Sequence, residues 1–246
     1  MMIAHITRRA TIAELPRDKR LRNTDIRMRL LIDRKHPMTR KEVAQIADVD
    51  VETARRCLIR LRECGWVAEE RSLRGRSRRR VGLIRPCLPA HVEAIVAARL
   101  MVVKLSVDWL GQWLMRNWLD VLVEENECID NSRPSWLKSP GMGYMELDRD
   151  YPNQRVGLEF QGQQHYQKGG PFSTDKSQLD EQVRRDNIKA GVCARNAYTL
   201  IEVCKTDLTL KTMREKIAGH LPPAIFNPDG PILRTLIDIS QGYCQG

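Results

Sequence analysis

The chain has little of what would carry it out of a cell or into a membrane. No apolar run is long enough to cross a bilayer, and Arg8 and Arg9 are followed by no continuous apolar core of the secretory kind. Export is therefore not expected. The 7 cysteines are odd in number and form neither a C-x-x-C pair nor a Cys/His cluster at zinc spacing. Reduced thiols in a cytoplasmic protein are the simplest account, and a structural zinc or a disulfide framework is not expected. There is no internal repeat and no low-complexity tract.

What is present is enough to build real cores: 246 residues, of which 42% are hydrophobic. The net charge of +10 is unevenly placed. Residues 1–100 carry 24 Lys or Arg against 12 Asp or Glu, a surplus of 12, whereas the remainder carries 17 against 19, a deficit of 2. Such asymmetry points to a polyanion-binding module joined to something chemically different.

Within the basic part, Ile26, Met28, Leu30, Leu31 and Ile32 form the apolar side of a first helix ending before His36-Pro37. Thr39-Arg40-Lys41-Glu42 is a capping box opening a second helix, with Val43, Ala44, Ile46 and Ala47 facing a core. Asp50 caps a third, which runs to Gly65 with Ala54, Cys57, Leu58 and Leu61 inward and Thr53, Arg56 and Arg60 outward. Trp66–Glu70 and Val81–Arg85 read as strands around the cationic loop Arg71–Arg80, which includes Arg76, Arg78, Arg79 and Arg80. The segment resembles a winged helix-turn-helix. That resemblance implies DNA as partner, the third helix in the major groove, and the arginine loop on phosphate or in a minor groove.

Leu88–Ile129 is helical in character, and Trp109, Trp113 and Trp118 at near-helical intervals are expected to pack in cores rather than stack on bases. Asp120 and Glu124 are weak acidic candidates there. Asn131–Gly143 reads as a connecting loop, Lys168–Lys176 as a loop beside the centre described next, and Thr206–Leu221 as a closing helix.

That centre lies in Met145–Tyr166. One apolar run, Tyr144–Asp148, is expected to stop at the turn-forming Asp150, Pro152 and Asn153; a second, Val156–Gln161, alternates until Gly162. Pairing these strands brings Asp148 near Glu159, and alternation puts Glu159 and Gln161 on one face. Two hard carboxylates suit Mg2+, with Mn2+ as an alternative.

The run Leu158-Glu159-Phe160-Gln161-Gly162-Gln163-Gln164-His165 resembles the second strand of the PD-(D/E)xK nuclease superfamily, in its branch related to very-short-patch repair endonucleases. Asp180–Lys189 and Tyr198–Val203 are similar to the helix and final strand of such domains, so the resemblance covers residues 116–212. It implies a restriction-endonuclease-like mixed sheet flanked by helices, with Asp148, Glu159 and the Phe160 carbonyl as metal ligands. Gln161 stands where the family carries Lys; it can orient by hydrogen bonds but brings no charge. A displaced cation is therefore sought on the next helix, in Arg184 or Lys189, and His165 is a further candidate near phosphate.

The expected organisation is α+β or α/β in class: a DNA-binding domain over 22–86, a helical linker over 87–130, a nuclease domain over 131–225 and a tail over 226–246. The expected activity is metal-dependent DNA hydrolysis, with a homodimer or second nuclease subunit needed to cut both strands, no membrane partner, and a cytoplasmic setting, nucleoid-associated if the source is a bacterium or phage. Gln161 keeps a second reading open, a DNA-binding transcriptional regulator or scaffold whose nuclease-like domain is inactive.

Overall fold

A computed structural model describes residues 20–34, 37–74, 79–124, 127–139, 141, 143–162, 176–224 and 226–245. The chain is a mixed α+β protein that divides into two units: residues 20–100 with 228–232, and residues 101–227 with 233–245. Among the described residues no helix is long and apolar enough to cross a membrane.

The first unit contains α1 (Asn23–Arg34), β1 (Met38–Thr39), α2 (Arg40–Ala47), α3 (Val51–Glu63), β2 (Val67–Arg74), β3 (Arg79–Pro86) and most of α4 (Ala90–Val103). The helix starts follow from their caps. Thr39 Oγ1 accepts the Glu42 N–H at 3.2 Å while Glu42 Oε2 accepts the Thr39 N–H at 2.6 Å. Asp50 Oδ1 accepts the Thr53 N–H at 2.8 Å to open α3. The turn between these helices is closed by Asp48 in the left-handed region, at φ 53°. Met28, Ile32, Val43, Ala44, Ala54, Leu58, Leu61 and Trp66 are buried, and the antiparallel sheet, in the order β1-β3-β2, adds Leu83 and Ile84. Ile46, expected inward, is 36% exposed, because on so short a helix only the stripe through Val43, Ala44 and Ala47 faces the core.

The second unit is built on a four-stranded sheet in the order β4-β7-β8-β9, from β4 (Ile129–Ser132), β7 (Leu147–Tyr151), β8 (Val156–Gln161) and β9 (Thr199–Cys204). β4, β7 and β8 pair antiparallel, and β9 lies parallel to β8 after a crossover through α6 (Lys176–Arg195). Arg149 and Phe160 point toward α5 (Leu110–Leu122), while Asp150 and Glu159 point to the side of α6, so the alternation of the strands places helices on both faces. Ile188, Val192 and Cys193 of α6 pack on Leu137, Met145 and Leu147. α7 (Leu210–Ile217) follows β9, and α8 (Pro231–Gln245) buries Leu236 and Ile239, with Ser240 Oγ accepting Trp118 Nε1–H at 2.9 Å.

Several local expectations change. β7 does not stop at Asp150 but runs to Tyr151, because Asp150 is buried and satisfied by Ser132 and Tyr198; the turn is Pro152–Arg155, with Arg155 at φ 54°. The stretch expected as a connecting loop holds part of β4 and a small pair, β5 (Lys138–Ser139) with β6 (Gly143–Tyr144). Helical structure ends at Leu122, before Ile129 enters β4. Trp113 and Trp118 are buried as expected, whereas Trp109, at the N-cap of α5 rather than within it, is 65% exposed. Residues 231–245 of the expected tail form α8.

Candidate active site

The hairpin that carries the acids is tight because Gly157 lies against Leu147: a Cβ at position 157 would stand 2.8 Å from a Leu147 methyl. Arg149 pairs with Leu158 and Asp150 with Gly157, and beyond Arg149 the side chain of Asp148 takes over from the backbone. Its Oδ2 accepts the Phe160 N–H at 2.7 Å. The N–H and C=O of one extended residue point to the same strand edge, so the Phe160 carbonyl lies on the edge that faces Asp148. Phe160's ring goes elsewhere, against Gly111 and 6.5 Å from the Tyr243 ring.

Asp148 is further held from α5. Gln112 Nε2 donates to Asp148 Oδ1, and Arg116 Nη2 donates to the Asp148 carbonyl at 2.9 Å. Gln112 had no signal of its own in the sequence, since an uncharged amide on an amphipathic helix is ordinary. Only its position one turn before Arg116 marks the face that meets β7.

Glu159 is largely buried, with a side chain 15% exposed, and its Oε2 lies 2.9 Å from Lys189 Nζ. Its Oε1 is buried and has no hydrogen-bond partner among the described residues. Burial pushes its carboxyl up to about 7; Lys189 pulls the other way, and the negative charges of Asp148 and Asp186 add to the rise. The ionised form is thus held by one lysine against three unfavourable influences. Gln161, two residues on, is 7% exposed. Among the described residues no group of three His, Cys, Asp or Glu is placed to hold a metal ion.

Of the two cations expected on the following helix, Lys189 is at the centre and Arg184 is not. Arg184 lines a groove of about 640 Å³ with Val183, Asn187, Ile188, Gly191 and Arg195, on the side of α6 turned away from Lys189. His165 and residues 168–175 of the expected loop Lys168–Lys176 lie outside the described residues, and Lys176 starts α6. Asp120 belongs to a different cluster: it lies 2.5 Å from Arg149 Nη1. Glu124 follows α5, where its N–H donates to the Pro222 carbonyl at 2.8 Å.

On the basic unit, Arg56 is exposed on α3. Thr53 is tied to Asp50, its hydroxyl donating to Oδ2. Arg60 is turned inward onto fully buried Asp25, with Nε and Nη2 at 2.9 and 2.7 Å from the carboxylate oxygens, because a buried carboxylate needs a counter-charge. Asp25 is accordingly held below the usual carboxylate range: burial opposes this, and Arg60 with the Arg22 N–H prevails. Arg79 and Arg80 start β3, while Arg76 and Arg78 lie outside the described residues.

No family model matches the chain, and no solved structure matches it. It is 35% identical over 103 residues to Uncharacterized protein 307L of Invertebrate iridescent virus 6, a stretch that is 39% of this chain and 51% of that protein. It is 36% identical over 73 residues to Uncharacterized protein 033L of Invertebrate iridescent virus 3, covering 29% of this chain and 38% of that protein. The chain therefore spans about half or less of the curated viral relatives that it matches.

Proposed function

We propose that this protein is a metal-dependent DNA endonuclease in which a basic winged-helix unit brings a PD-(D/E)xK-like unit to its target. The observation that carries this is the end of the β7–β8 hairpin, where Asp148 accepts the N–H of Phe160, the residue after Glu159, its charge acts on Glu159, and Glu159 Oε1 is buried without a partner among the described residues. A buried, unpaired carboxylate oxygen beside a second carboxylate is costly unless a cation completes it. Asp148, Glu159 and the Phe160 carbonyl are the groups that would hold Mg2+ or Mn2+. The bound ion would lower the pKa of a water and stabilise charge on the scissile phosphate.

This chain's residues supply the frame. Gln112 and the Phe160 N–H orient Asp148, and Gln161 offers amide hydrogen bonds to water or phosphate. In the hydrolysis a water oxygen bonds to phosphorus while the bond to the leaving sugar oxygen breaks; the water gives up a proton to solvent and the leaving oxygen takes one. The three helices with a capped turn, followed by an antiparallel pair rich in arginine, support the winged-helix assignment. Arg56, Arg76, Arg78, Arg79 and Arg80 are the proposed DNA contacts.

A second reading, a DNA-binding regulator with an inactive nuclease-like unit, draws on Gln161 and on Lys189 already neutralising Glu159. Supercoiled plasmid with Mg2+ or Mn2+ separates the two. Cutting by the wild type that falls about 1,000-fold in both Asp148→Ala and Glu159→Ala is expected. Tight DNA binding with no cutting under either metal would favour the regulator, and cutting that survives both substitutions would move the site elsewhere. Replacing Arg76, Arg78, Arg79 and Arg80 by Ala should leave the metal centre intact and flatten the salt dependence of DNA binding by about 3 to 4 in the log–log slope.

A further inference from the structure

We propose that Arg40 and Arg62 form a phosphate-binding pair on the basic unit, and that Glu69 lies between them in the place that a phosphate of DNA takes. The inference rests on the DNA-binding reading of that unit and adds the residues that grip the backbone beside α3; the acids of the second unit play no part in it. Three elements meet at this point: Arg40 opens α2, Arg62 lies in the last turn of α3, and Glu69 stands on β2. Arg40 Nη2 is 3.8 Å from Glu69 Oε1, and Arg62 Nη1 is 3.7 Å from Glu69 Oε2. Among the described residues neither arginine pairs with another acid.

The sheet fixes where the carboxylate lies. Gly82 of β3 leaves the space for it: a Cβ at position 82 would stand 2.1 Å from Glu69 Oε1 and 3.0 Å from its Cδ. Glu69 therefore lies against β3, with a side chain 29% exposed, while those of Arg40 and Arg62 are 43% and 55% exposed.

The two arginines are gathered but not satisfied. Each carboxylate oxygen faces one guanidinium, yet both separations exceed hydrogen-bond length. Arg40 Nε is buried and has no hydrogen-bond partner among the described residues. Two positive charges share one negative charge, and pairs so exposed and so long hold weakly. A phosphate arriving along a DNA backbone can close on both guanidiniums with charge-assisted hydrogen bonds, which the carboxylate lying against β3 does not make. The position on the helix suits that ligand. Arg62 follows Arg56 by six residues, which sets it about 120° around α3. The flank of a helix lying in a groove meets phosphates, whereas the face that enters the groove meets base edges.

The test is duplex binding measured by fluorescence anisotropy over a salt series, on the full chain in EDTA. Arg40→Ala and Arg62→Ala should each weaken binding to unrelated duplexes alike, by about tenfold at about 0.1 M salt, and lower the log–log salt slope by about 1. Glu69→Gln should tighten binding about fivefold. Gly82→Ala keeps every charge but fills the space that the carboxylate occupies, and should tighten binding about threefold; it also serves if Glu69→Gln folds poorly. With Arg40 and Arg62 both replaced by Ala, Glu69→Gln should change affinity less than about twofold, because its gain comes from freeing those two cations and not from net charge. Three results would each reduce the cluster to a surface ion-pair network and overturn the inference while wild-type DNA binding stands. These are unchanged or weaker binding in Glu69→Gln and Gly82→Ala, a gain that persists without the two arginines, or a wild-type salt slope in Arg40→Ala and Arg62→Ala. A wild type that does not bind DNA would sink the winged-helix reading, and the inference with it.

Discussion

Two buried charge clusters sit on the same hairpin of the second unit and are completed differently. Around Arg149, every guanidinium nitrogen is met: Nε by Asp130 at 2.8 Å, Nη1 by Asp120 and the Arg116 carbonyl, Nη2 by Asp130 at 3.2 Å. Around Glu159, one oxygen has Lys189 and the other has nothing among the described residues. Arg149 is fully buried yet remains charged, its pKa held well above the usual value because the neighbouring acids outweigh burial. Glu159 is less buried but is pushed toward neutrality. A guanidinium met at every nitrogen ties β7 to β4 and α5, whereas the Glu159 carboxylate is met at one oxygen only among the described residues.

Breaking the Arg149 cluster should cost the most. Arg149→Met removes the cation that Asp120 and Asp130 share, leaving Asp130 only Arg116 Nε at 3.5 Å, and should lose about 4 kcal/mol in urea unfolding at neutral pH. A loss below about 1 kcal/mol would mean that solvent reaches the cluster and the contrast with Glu159 fails.

The incomplete cluster should instead show its cost as a pH dependence. Glu159 rises from an ordinary 4.5 to about 7 on folding, so the folded state holds its proton more tightly than the unfolded chain. The associated stability is fully present below about pH 4.5 and is lost as pH rises toward 7, by up to about 3 kcal/mol. Stability measured from pH 5 to pH 8 should therefore fall more steeply in the wild type than in Glu159→Gln; parallel curves would contradict the raised carboxyl. The smallest effect is expected at Asp150, on the α6 side of the hairpin. Tyr198→Phe removes one of the donors to buried Asp150 and should cost about 1.5 kcal/mol in thermal unfolding, with no change in cleavage.

Much of the secondary structure was legible because its signals are local. The Thr39/Glu42 box, the Asp50 cap, the inward stripe of α3 and the bounds of β8 are written in neighbouring residues. The misjudged places depend on partners distant in the chain. β7 continues through Asp150 because Ser132 and Tyr198 satisfy that carboxylate, and Arg60 turns inward because Asp25 lies buried 35 positions earlier. Gln112 escaped notice for the same reason: its meaning comes from Asp148, 36 residues away. α8 was unread because its apolar stripe lies in a stretch with no chemical motif to draw attention.

By itself, the sequence determined the helix caps, the placing of Asp148 and Glu159 on successive strands, and the concentration of the basic surplus in residues 1–100. These follow from composition and short-range periodicity, which need no knowledge of the fold. Only the tertiary structure decided that Lys189 is the cation on Glu159, that Asp120 belongs to Arg149 instead, and that Glu159 Oε1 is buried without a partner among the described residues. Those outcomes turn on burial and on contacts between elements far apart in the chain. Burial sets the cost of each unpaired charge, and the packing of α5 and α6 around the hairpin decides which partner is within reach to relieve it.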